Sequence, residues 1–267
     1  MNFDLLTIGD YSLDVILILP QTGKYNSVNQ PESVCFPKEE KILTKDLQMS
    51  LGGNSLNTAV GMSRLGFNVT LVTFIGDDFS AELLKKTAET EKIDLSLSFH
   101  QKGMLGNYST TIFADSEKTI FVHNHPNPYS LPENLPLTKM VYLSSVGPDY
   151  AGIFSETVSH CKSNKIPLAF NPASHQFNDD YDKYKIAVEN SSYLFVNKKE
   201  AQKILKAGRM EIKDLLTEFK KLGSGVVIIT DNTNGAYSFD GETAYYCPAY
   251  DLPVVQKTGA GDAFSSG

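Results

Sequence analysis

The chain has 267 residues, of which 41% are hydrophobic and 21% are charged, an ordinary globular balance for one large domain or two small ones. Its formal net charge of −7 excludes a broad basic field for nucleic acid or anionic lipid, so any phosphate site must be built locally. Its three cysteines are far apart and form no Cys-x-x-Cys pair, which argues against a disulfide framework or a zinc site. No apolar run near the N-terminus is long enough to span a bilayer, and we expect a cytoplasmic protein without membrane or nucleic-acid partners.

The first predicted element is a buried strand at 4–10, an apolar run that Gly-Asp closes. Asp10 and Asp14 follow its apolar part. An acceptor-only carboxylate suits a vicinal diol, although aspartate is also common in the turns that follow strands.

A glycine pair, Gly52-Gly53, precedes a predicted helix at 54–66 whose apolar residues recur at helical spacing. Backbone exposed at paired glycines can approach a ligand closely, and the amide of Asn57 can bond sugar hydroxyls. The structural alternative is the start of a helix with Asn54 as its N-cap.

Two segments interrupt the alternation of strands and helices. Residues 20–41 are rich in Pro, Gly, Asn and Gln, and residues 105–123 are extended in pattern. Extended segments of this kind predict a small sheet that stands off the main domain as a lid, formed by about 15–41 and 105–123. Two histidines at 123 and 125 resemble a metal pair, but no third ligand is identifiable and we do not expect a metal there.

The remaining predicted elements alternate regularly. Helices between apolar, β-branched strands predict an α/β domain with a doubly wound, mainly parallel sheet covered by helices on both faces. The site of such a sheet lies beyond the carboxyl ends of its strands. Strands are predicted at 69–76, 140–147, 167–172, 193–197 and 225–230, and helices at 79–92, 152–164, 199–208 and 212–223.

Asn197 and Glu200 are three residues apart after a strand. They predict a capping box, in which each side chain bonds the backbone of the other residue. The functional alternative is a pair that holds a Mg²⁺-bound water near phosphates.

The stretch TGAGDAF (258–264) holds a glycine turn at the start of a helix. The amides of Gly259, Ala260 and Gly261 can form an anion hole, and Asp262 can take a proton from a hydroxyl that attacks a phosphate. The structural alternative is an aspartate that stabilises a helix N-terminus. The stretch is not a Rossmann fingerprint, and no P-loop motif occurs in the chain.

Together these motifs resemble the ribokinase, or PfkB, family of carbohydrate and nucleoside kinases. The likeness runs from IGDYSLD (8–14) to the end of the chain. GGNSLNTAVGMSRLG (52–66) is similar to the first family signature and TGAGDAF to the second, with NPA (171–173), NKKE (197–200) and TDNTNGA (230–236) in order between them.

The resemblance implies a ribokinase-like fold with a small β-sheet lid and an ATP-dependent, Mg²⁺-requiring phosphorylation of a primary hydroxyl of a sugar. Asp262 would be the base, and the glycine-turn amides would form the anion hole for the transferring phosphoryl. The other implied roles fall into two groups. Sugar-binding residues would be Asp14, Gly52, Gly53, Asn57 and Tyr108, whereas Asn197, Thr230, Asn232, Gly235 and Gly261 would border the nucleotide.

Asn197 and Glu200 would also position Mg²⁺ through water. The lid of this family often forms a dimer contact as well, so the resemblance allows a homodimer through the lid.

Three departures from the family pattern stand out. Gln256 replaces the usual aspartate and loses its charge, which argues against a monovalent-cation site. Asn232 replaces the usual glycine, and asparagine tolerates positive φ better than most residues. Family members normally continue for several tens of residues past Asp262, so we expect 1–267 to be a kinase domain without its C-terminal helices that binds ATP weakly or not at all.

Two other functions fit the same residues. One is a nucleoside kinase, for which Phe36, Tyr108 and Phe113 could line an apolar slot. The other is a non-catalytic, sugar-binding protein derived from a kinase, which Gln256 and Asn232 favour and which the retained Asp262 argues against.

Overall fold

The computed structural model describes residues 3–20, 34–114, 117–125, 130–173, 176–251 and 259–267. Gln256 and a large part of the predicted 15–41 lid segment lie outside the described residues. In chain order the strands are β1 (Leu5–Ile8), β2 (Ser12–Ile18), β3 (Asp46–Gly52), β4 (Val69–Val72), β5 (Phe74–Ile75), β6 (Ile93–Asp94), β7 (Phe99–His100), β8 (Tyr108–Ala114), β9 (Glu117–His123), β10 (Met140–Leu143), β11 (Leu168–Phe170), β12 (Tyr193–Asn197), β13 (Val226–Thr230), β14 (Ala236–Phe239) and β15 (Ala244–Cys247). The α-helices are α1 (Asn54–Arg64), α2 (Phe79–Glu91), α3 (Ala151–Asn164), α4 (Lys185–Glu189), α5 (Lys198–Ile204), α6 (Ile212–Leu222) and α7 (Ala260–Ser266).

The main sheet has the strand order β15-β14-β13-β12-β11-β10-β1-β4-β6 within the described ranges. Every pair from β13 to β6 is parallel, and β14 and β15 extend one edge in antiparallel fashion. The strand order changes direction around β1, which is flanked by β4 on one side and β10 on the other. An open parallel sheet with such a reversal binds ligands at the carboxyl ends of its strands.

The main sheet is buried on both faces because successive side chains of its strands point in opposite directions. Leu5 of β1 packs in a cluster with Leu56 of α1, whereas its neighbour Leu6 packs in a second cluster with Phe154 of α3. All three leucines and Phe154 are buried, and truncation of a residue such as Phe154 to alanine costs about 3–5 kcal/mol of stability. Helices therefore cover both faces, and the predicted doubly wound α/β fold is confirmed.

A smaller sheet, with the order β3-β2-β8-β9, stands beside the main one. Strands β2 and β8 pair in parallel, and the outer strands pair antiparallel to them. The predicted small sheet is therefore present. Strand β3 is not among the predicted elements, although Leu47, Met49 and Leu51 alternate along it with polar residues in the manner of a half-exposed strand.

The predicted strand at 69–76 divides at Thr73. Strand β4 belongs to the main sheet, whereas β5 pairs with β7 in a separate two-stranded sheet. Among the described residues, no helix combines the length and the apolar character needed to cross a membrane.

Candidate active site

A cleft of about 190 Å³ opens where three neighbouring strands of the main sheet end and α7 begins. Asn171 follows β11, Asn197 ends β12 and Thr230 ends β13, so the cleft lies at the carboxyl edge that the topology predicts. The residues that line it are Asn54, Asn171, Phe195, Val196, Asn197, Glu200, Ile228, Thr230, Gly259, Gly261, Asp262, Phe264 and Ser265.

Asp262 lies in the first turn of α7, behind a glycine turn. Gly259 caps the helix with a left-handed backbone (φ 78°), which glycine adopts without a steric penalty. The Asp262 side chain lines the cleft, yet the residue is only 8% exposed. Nδ2 of Asn57 donates a hydrogen bond to its Oδ2 at 2.7 Å.

The surroundings of Asp262 favour proton uptake. Burial raises the pKa of its carboxyl above the ordinary aspartate value, and the hydrogen bond from Asn57 opposes part of that rise. A carboxyl group with increased proton affinity beside a helix N-terminus can act as a general base.

The start of α1 does not have the N-cap residue that the structural interpretation of the sequence predicts. Gly53, with φ 103°, occupies the N-cap position and provides no side-chain cap, so the interpretation of Asn54 as N-cap is wrong. Asn54 instead donates from Nδ2 to Oδ1 of Asn171 at 3.0 Å, and Asn171 donates to the carbonyl of Phe195 at 2.8 Å. These bonds connect α1 to the ends of β11 and β12 across the floor of the cleft.

Asp14 lies on the smaller sheet, where two serines orient it. Oδ1 accepts hydrogen bonds from the hydroxyl of Ser12 at 2.7 Å and from that of Ser109 at 2.6 Å. A side chain at Gly52 would overlap with the Asp14 carboxylate, and one at Gly53 would overlap with the carbonyl of Asp10. The two glycines are therefore needed to bring the end of β3 and the start of α1 against the segment that carries Asp14.

Tyr108 is not brought to Asp14. It pairs with Leu13 across the smaller sheet, whereas its neighbour Ser109 pairs with Asp14, so Tyr108 lies on the opposite face of the sheet. Its hydroxyl donates to Oδ2 of Asp78 at 3.0 Å. Phe113 is an odd number of positions from Tyr108 on β8 and shares the face of Asp14, so these two aromatic residues cannot line one slot on the same face.

Asn197 and Glu200 form the capping box that their spacing predicts. Asn197 Oδ1 accepts from the Glu200 amide at 2.9 Å, and Glu200 Oε2 accepts from the Asn197 amide at 2.8 Å. Both residues also line the cleft. Burial raises the pKa of the Glu200 carboxyl, hydrogen bonds from Asn197 oppose the rise, and the negative charge of Asp262 adds to it. Two carboxylates thus share one cleft, an arrangement that a divalent cation would relieve.

Thr230 ends β13 opposite Asn197 of β12 and borders the cleft. The turn after it contains Asn232 with a left-handed backbone (φ 49°), which agrees with the prediction that asparagine would tolerate this position. Gly235 also has positive φ, and a side chain there would overlap with the carbonyl of Cys247. Neither Asn232 nor Gly235 is among the residues that line the cleft. The positive φ of Gly235 and the close carbonyl of Cys247 are sufficient to require glycine at this position.

The two histidines of the HNH stretch (123–125) have different surroundings. His123 is exposed on β9, whereas His125 is buried and stacks on Phe74 at 3.5 Å between ring centroids. Within the described residues, no group of three or more His, Cys, Asp or Glu side chains could hold a metal ion.

The sequence prediction assigns no role to Ser109 or to Asn171. Asn171 carries a usable signal, since a polar residue directly after a buried strand is placed at the ligand-binding edge of a parallel sheet. Ser109 carries none, because only the pairing of β2 with β8 places it beside Asp14.

Residues 24–267 match the family model described as "pfkB family carbohydrate kinase", and the chain belongs to this family. The protein is therefore a ribokinase-like α/β kinase, a phosphotransferase with an alcohol group as acceptor.

Similar proteins support the same class. The chain is 24% identical over 230 residues to an ATP-dependent ribose-1-phosphate kinase of Halopiger xanaduensis, covering 82% of this chain and 72% of that protein. It is 25% identical over 238 residues to a ribokinase of Lactococcus lactis, covering 85% and 73% of the two chains. In structure it resembles an Arabidopsis thaliana ribokinase complexed with ribose and ATP, with a TM-score of 0.78, 18% identity and coverage of 100% of this chain and 84% of that chain.

Proposed function

We propose that this protein transfers the γ-phosphoryl group of ATP to a primary hydroxyl of a sugar, with Asp262 as the general base. The observation that carries the proposal is the position of Asp262 in the cleft, buried in the first turn of a helix behind a glycine turn. The increased pKa of its carboxyl suits a group that accepts a proton as the alcohol attacks phosphorus.

The glycine turn would stabilise the charge of the transferring phosphoryl group. Gly259 and Gly261 border the cleft, and no other described group lies within 4 Å of the place where a side chain would be at either position. Phosphate oxygens would approach the amides of Gly259, Ala260 and Gly261 from this side of the turn. Amides at a helix N-terminus favour negative charge, and in this position they would act most strongly when that charge develops.

The sugar would lie between Asp14 and Asp262. Asp14 has its Oδ1 engaged by Ser12 and Ser109, which leaves its orientation defined and its carboxylate suited to accept from sugar hydroxyls. Gly52 and Gly53 would serve the sugar site by letting the segment that carries Asp14 pack against the start of α1, and Asn57 would donate to a sugar hydroxyl close to the base. The hydroxyl of Tyr108 donates to Asp78, so we assign Tyr108 to the junction between the smaller sheet and the main domain. Its position does not support a contact with the sugar.

The nucleotide would lie along the carboxyl ends of β12 and β13, where Asn197 and Thr230 border the cleft. Asn232 and Gly235 would shape the turn behind it. Mg²⁺ would be held through water by Asn197 and Glu200, which fits a carboxyl whose pKa is raised by desolvation and, to a smaller extent, by the negative charge of Asp262. The ion would supply positive charge that neutralises phosphate oxygens.

The smaller sheet would act as the lid, and we propose that it also supports a homodimer. Leu47, Met49 and Phe121 lie on one face of this sheet and are 54%, 49% and 56% exposed. A second copy would bury these side chains. Sedimentation velocity measures this directly: a monomer at every concentration up to about 100 μM would contradict the dimer.

The experiment that tests the proposed reaction measures ADP formation by the protein, expressed from its full reading frame, with ATP, Mg²⁺ and a panel of acceptors. The panel contains ribose, fructose, ribose 1-phosphate, adenosine and cytidine, with a no-acceptor control. Acceptor-dependent ADP formation with a free sugar supports the proposal, and a preference for a nucleoside supports the alternative nucleoside kinase. Sugar binding by calorimetry without any ADP formation would support the non-catalytic sugar-binding protein instead.

A further inference from the structure

The helices that carry Asn57 and Asp262 touch again one turn further along. Gly61 lies four residues after Asn57 on α1, and Ser266 lies four residues after Asp262 on α7. Residues four apart share one face of a helix. The pairs Asn57–Asp262 and Gly61–Ser266 therefore form two successive layers of the same helix–helix contact.

The second layer leaves no room for a side chain. A Cβ atom at Gly61 would lie 2.5 Å from Oγ and 2.7 Å from Cβ of Ser266. Rotation of the serine could remove the contact with Oγ, but Cβ is attached to the backbone of α7 and cannot rotate away. The hydroxyl of Ser266 also donates to the carbonyl of Asp262 at 2.7 Å, so Ser266 is buried and engaged within its own helix.

Backbone conformation does not explain why position 61 is glycine. Gly61 lies inside α1 and is not among the glycines with positive φ, so any L residue could adopt its backbone. Glycine in a helix interior is less favourable than alanine by about 1 kcal/mol. The close approach of Ser266 is the feature of this position that requires glycine.

We propose that Gly61 is a positioning residue for catalysis, because the space left by its missing side chain sets the distance at which α7 holds Asp262 against Asn57. The inference rests on the proposed function of Asp262 as the base. Gly61 is one helical turn from the cleft and is not among the residues that line it, so it acts only through the placement of α7.

The experiment compares the wild type with Gly61→Ala, Ser266→Gly and the double variant Gly61→Ala/Ser266→Gly. In Gly61→Ala we expect kcat to fall about 10-fold or more, since small displacements of a catalytic group are costly, while the KM for the acceptor changes less than threefold. The double variant removes the obstructing Cβ from α7, and we expect its kcat to return to within about threefold of Ser266→Gly.

Gly152→Ala is the matched control. Gly152 also lies in a helix, α3, and no other described group is within 4 Å of the place where a side chain would be. It receives the same methyl group without the contact, and we expect its kcat to equal that of the wild type. If Gly61→Ala does not fold, Ser266→Val enlarges the same contact from the side of α7 and must lower kcat in the same way.

Wild-type kcat in Gly61→Ala, or a loss that the double variant does not recover, would overturn the proposal. Crystal structures of Gly61→Ala and the double variant separate this outcome from a failure of the proposed function. We expect the distance from Asn57 Nδ2 to Asp262 Oδ2 to exceed about 3.2 Å in the first and to return to hydrogen-bonding range in the second. If no acceptor supports turnover but the distances change in this way, the positioning role stands and the assignment of the base fails.

Discussion

The two carboxylates of the proposed mechanism have opposite surroundings. Asp262 is buried in the main domain at the contact of two helices, where burial raises the pKa of its carboxyl. Asp14 is half-buried on the smaller sheet, where the hydroxyls of Ser12 and Ser109 bond one of its oxygens. A base gains from increased proton affinity, whereas a carboxylate that accepts hydrogen bonds from a sugar gains from a fixed orientation. The difference teaches that residue type alone does not separate the two proposed roles, whereas burial and hydrogen-bond donors differ between the two carboxylates.

The two sheets also differ in burial. Strands β1 and β4 of the main sheet are buried at every position, whereas β3 of the smaller sheet is exposed along most of its length. The main sheet therefore supports α1, and α7 packs on α1. The smaller sheet depends on the places where it joins the main domain.

Asp78 connects the smaller sheet to the main domain, at a junction formed by the start of β8 and the start of α2. Its Oδ2 accepts from the Gly106 amide at 2.8 Å and from the Tyr108 hydroxyl at 3.0 Å, while Oδ1 caps α2 through the amides of Ser80 and Ala81. The carboxylate thus ties the start of β8 to a helix of the main domain.

The largest expected effect is on Asp262. Asp262→Asn removes the proposed base but keeps the shape of the side chain, and we expect kcat to fall about 10²-fold or more. Sugar binding measured by calorimetry should persist, because the role of Asp262 lies in proton transfer. An Asn variant with wild-type kcat would show that another group is the base.

The pH profile sharpens the contrast between the two carboxylates. Because the base must be ionised and burial raises its pKa, we expect kcat/KM to fall about 10-fold per pH unit below an apparent pKa that lies above the ordinary aspartate value. The same shift means that the folded state holds the Asp262 proton more tightly than the unfolded state, so ionisation of Asp262 lowers stability as pH rises through this range. An acidic limb at or below the ordinary aspartate pKa would contradict the effect of burial.

Asp14→Asn should change binding more than turnover. The loss of charge-assisted hydrogen bonds to the sugar predicts a KM for the acceptor about 10-fold higher or more, with a smaller change in kcat. Asp46→Asn is the control, since Asp46 lies on the neighbouring strand β3 and, among the described residues, its carboxylate accepts hydrogen bonds only from Leu47 and Gln48 of its own strand. Equal effects of the two substitutions would argue against a sugar contact of Asp14.

Asp78→Asn tests the junction of the smaller sheet. We expect the free energy of unfolding to fall by about 1–2 kcal/mol in chemical denaturation, since the substitution weakens a helix cap and two tertiary hydrogen bonds. Asp77→Asn, one residue earlier, is the control. Asp77 is exposed and its Oδ2 accepts one long hydrogen bond from the Gly103 amide at 3.3 Å, which asparagine can also accept, so stability should change by less than about 0.5 kcal/mol.

The pH dependence of stability tests the same junction. Burial alone would raise the pKa of Asp78, but hydrogen bonds from Ser80, Gly106 and Tyr108 outweigh it and hold the pKa below the ordinary value. The stabilisation by Asp78 is therefore present above the unfolded-state pKa and is lost as pH falls through the folded-state pKa. If the difference between wild type and Asp78→Asn stayed constant through this acidic range, the junction would not depend on the ionised carboxylate.

The smallest expected effect is on Ser109. Ser109→Ala removes one donor to Asp14, and a net loss of about 1 kcal/mol predicts a KM for the acceptor roughly fivefold higher with unchanged kcat. Ser50 pairs with Asp14 from the other side of β2, and among the described residues its hydroxyl does not bond the Asp14 carboxylate, so Ser50→Ala is the matched control. A similar KM for both variants would remove Ser109 as the orienting residue.

Much of the fold could be predicted from the sequence because its signals are local. An apolar, β-branched run such as 226–230 predicts a buried strand without reference to the segments it pairs with. The spacing of Asn197 and Glu200 predicts a capping box, which the structure contains. Strand β3 carries an alternating pattern, but its half-exposed side chains give a weaker signal than a fully buried run.

The candidate site was harder to predict because its geometry depends on pairing and packing. The sequence predicts that Tyr108 and Asp14 contact the same sugar, whereas the pairing of β2 with β8 places their side chains on opposite faces of the smaller sheet. Asn54 has the right residue type for an N-cap, yet Gly53 takes that position and Asn54 reaches Asn171 instead.

The sequence by itself determined the alternation of strands and helices, the two glycine turns and the presence of an aspartate behind the second turn, because each depends on residues that are close along the chain. Only the tertiary structure decided that Asn57 meets Asp262 across 205 positions and that Ser109 orients Asp14. The first contact depends on how closely α7 packs on α1, and the second depends on the register of β8 against β2. Side-chain volume and strand register are properties of two segments that are far apart in the chain, so neither segment determines them alone.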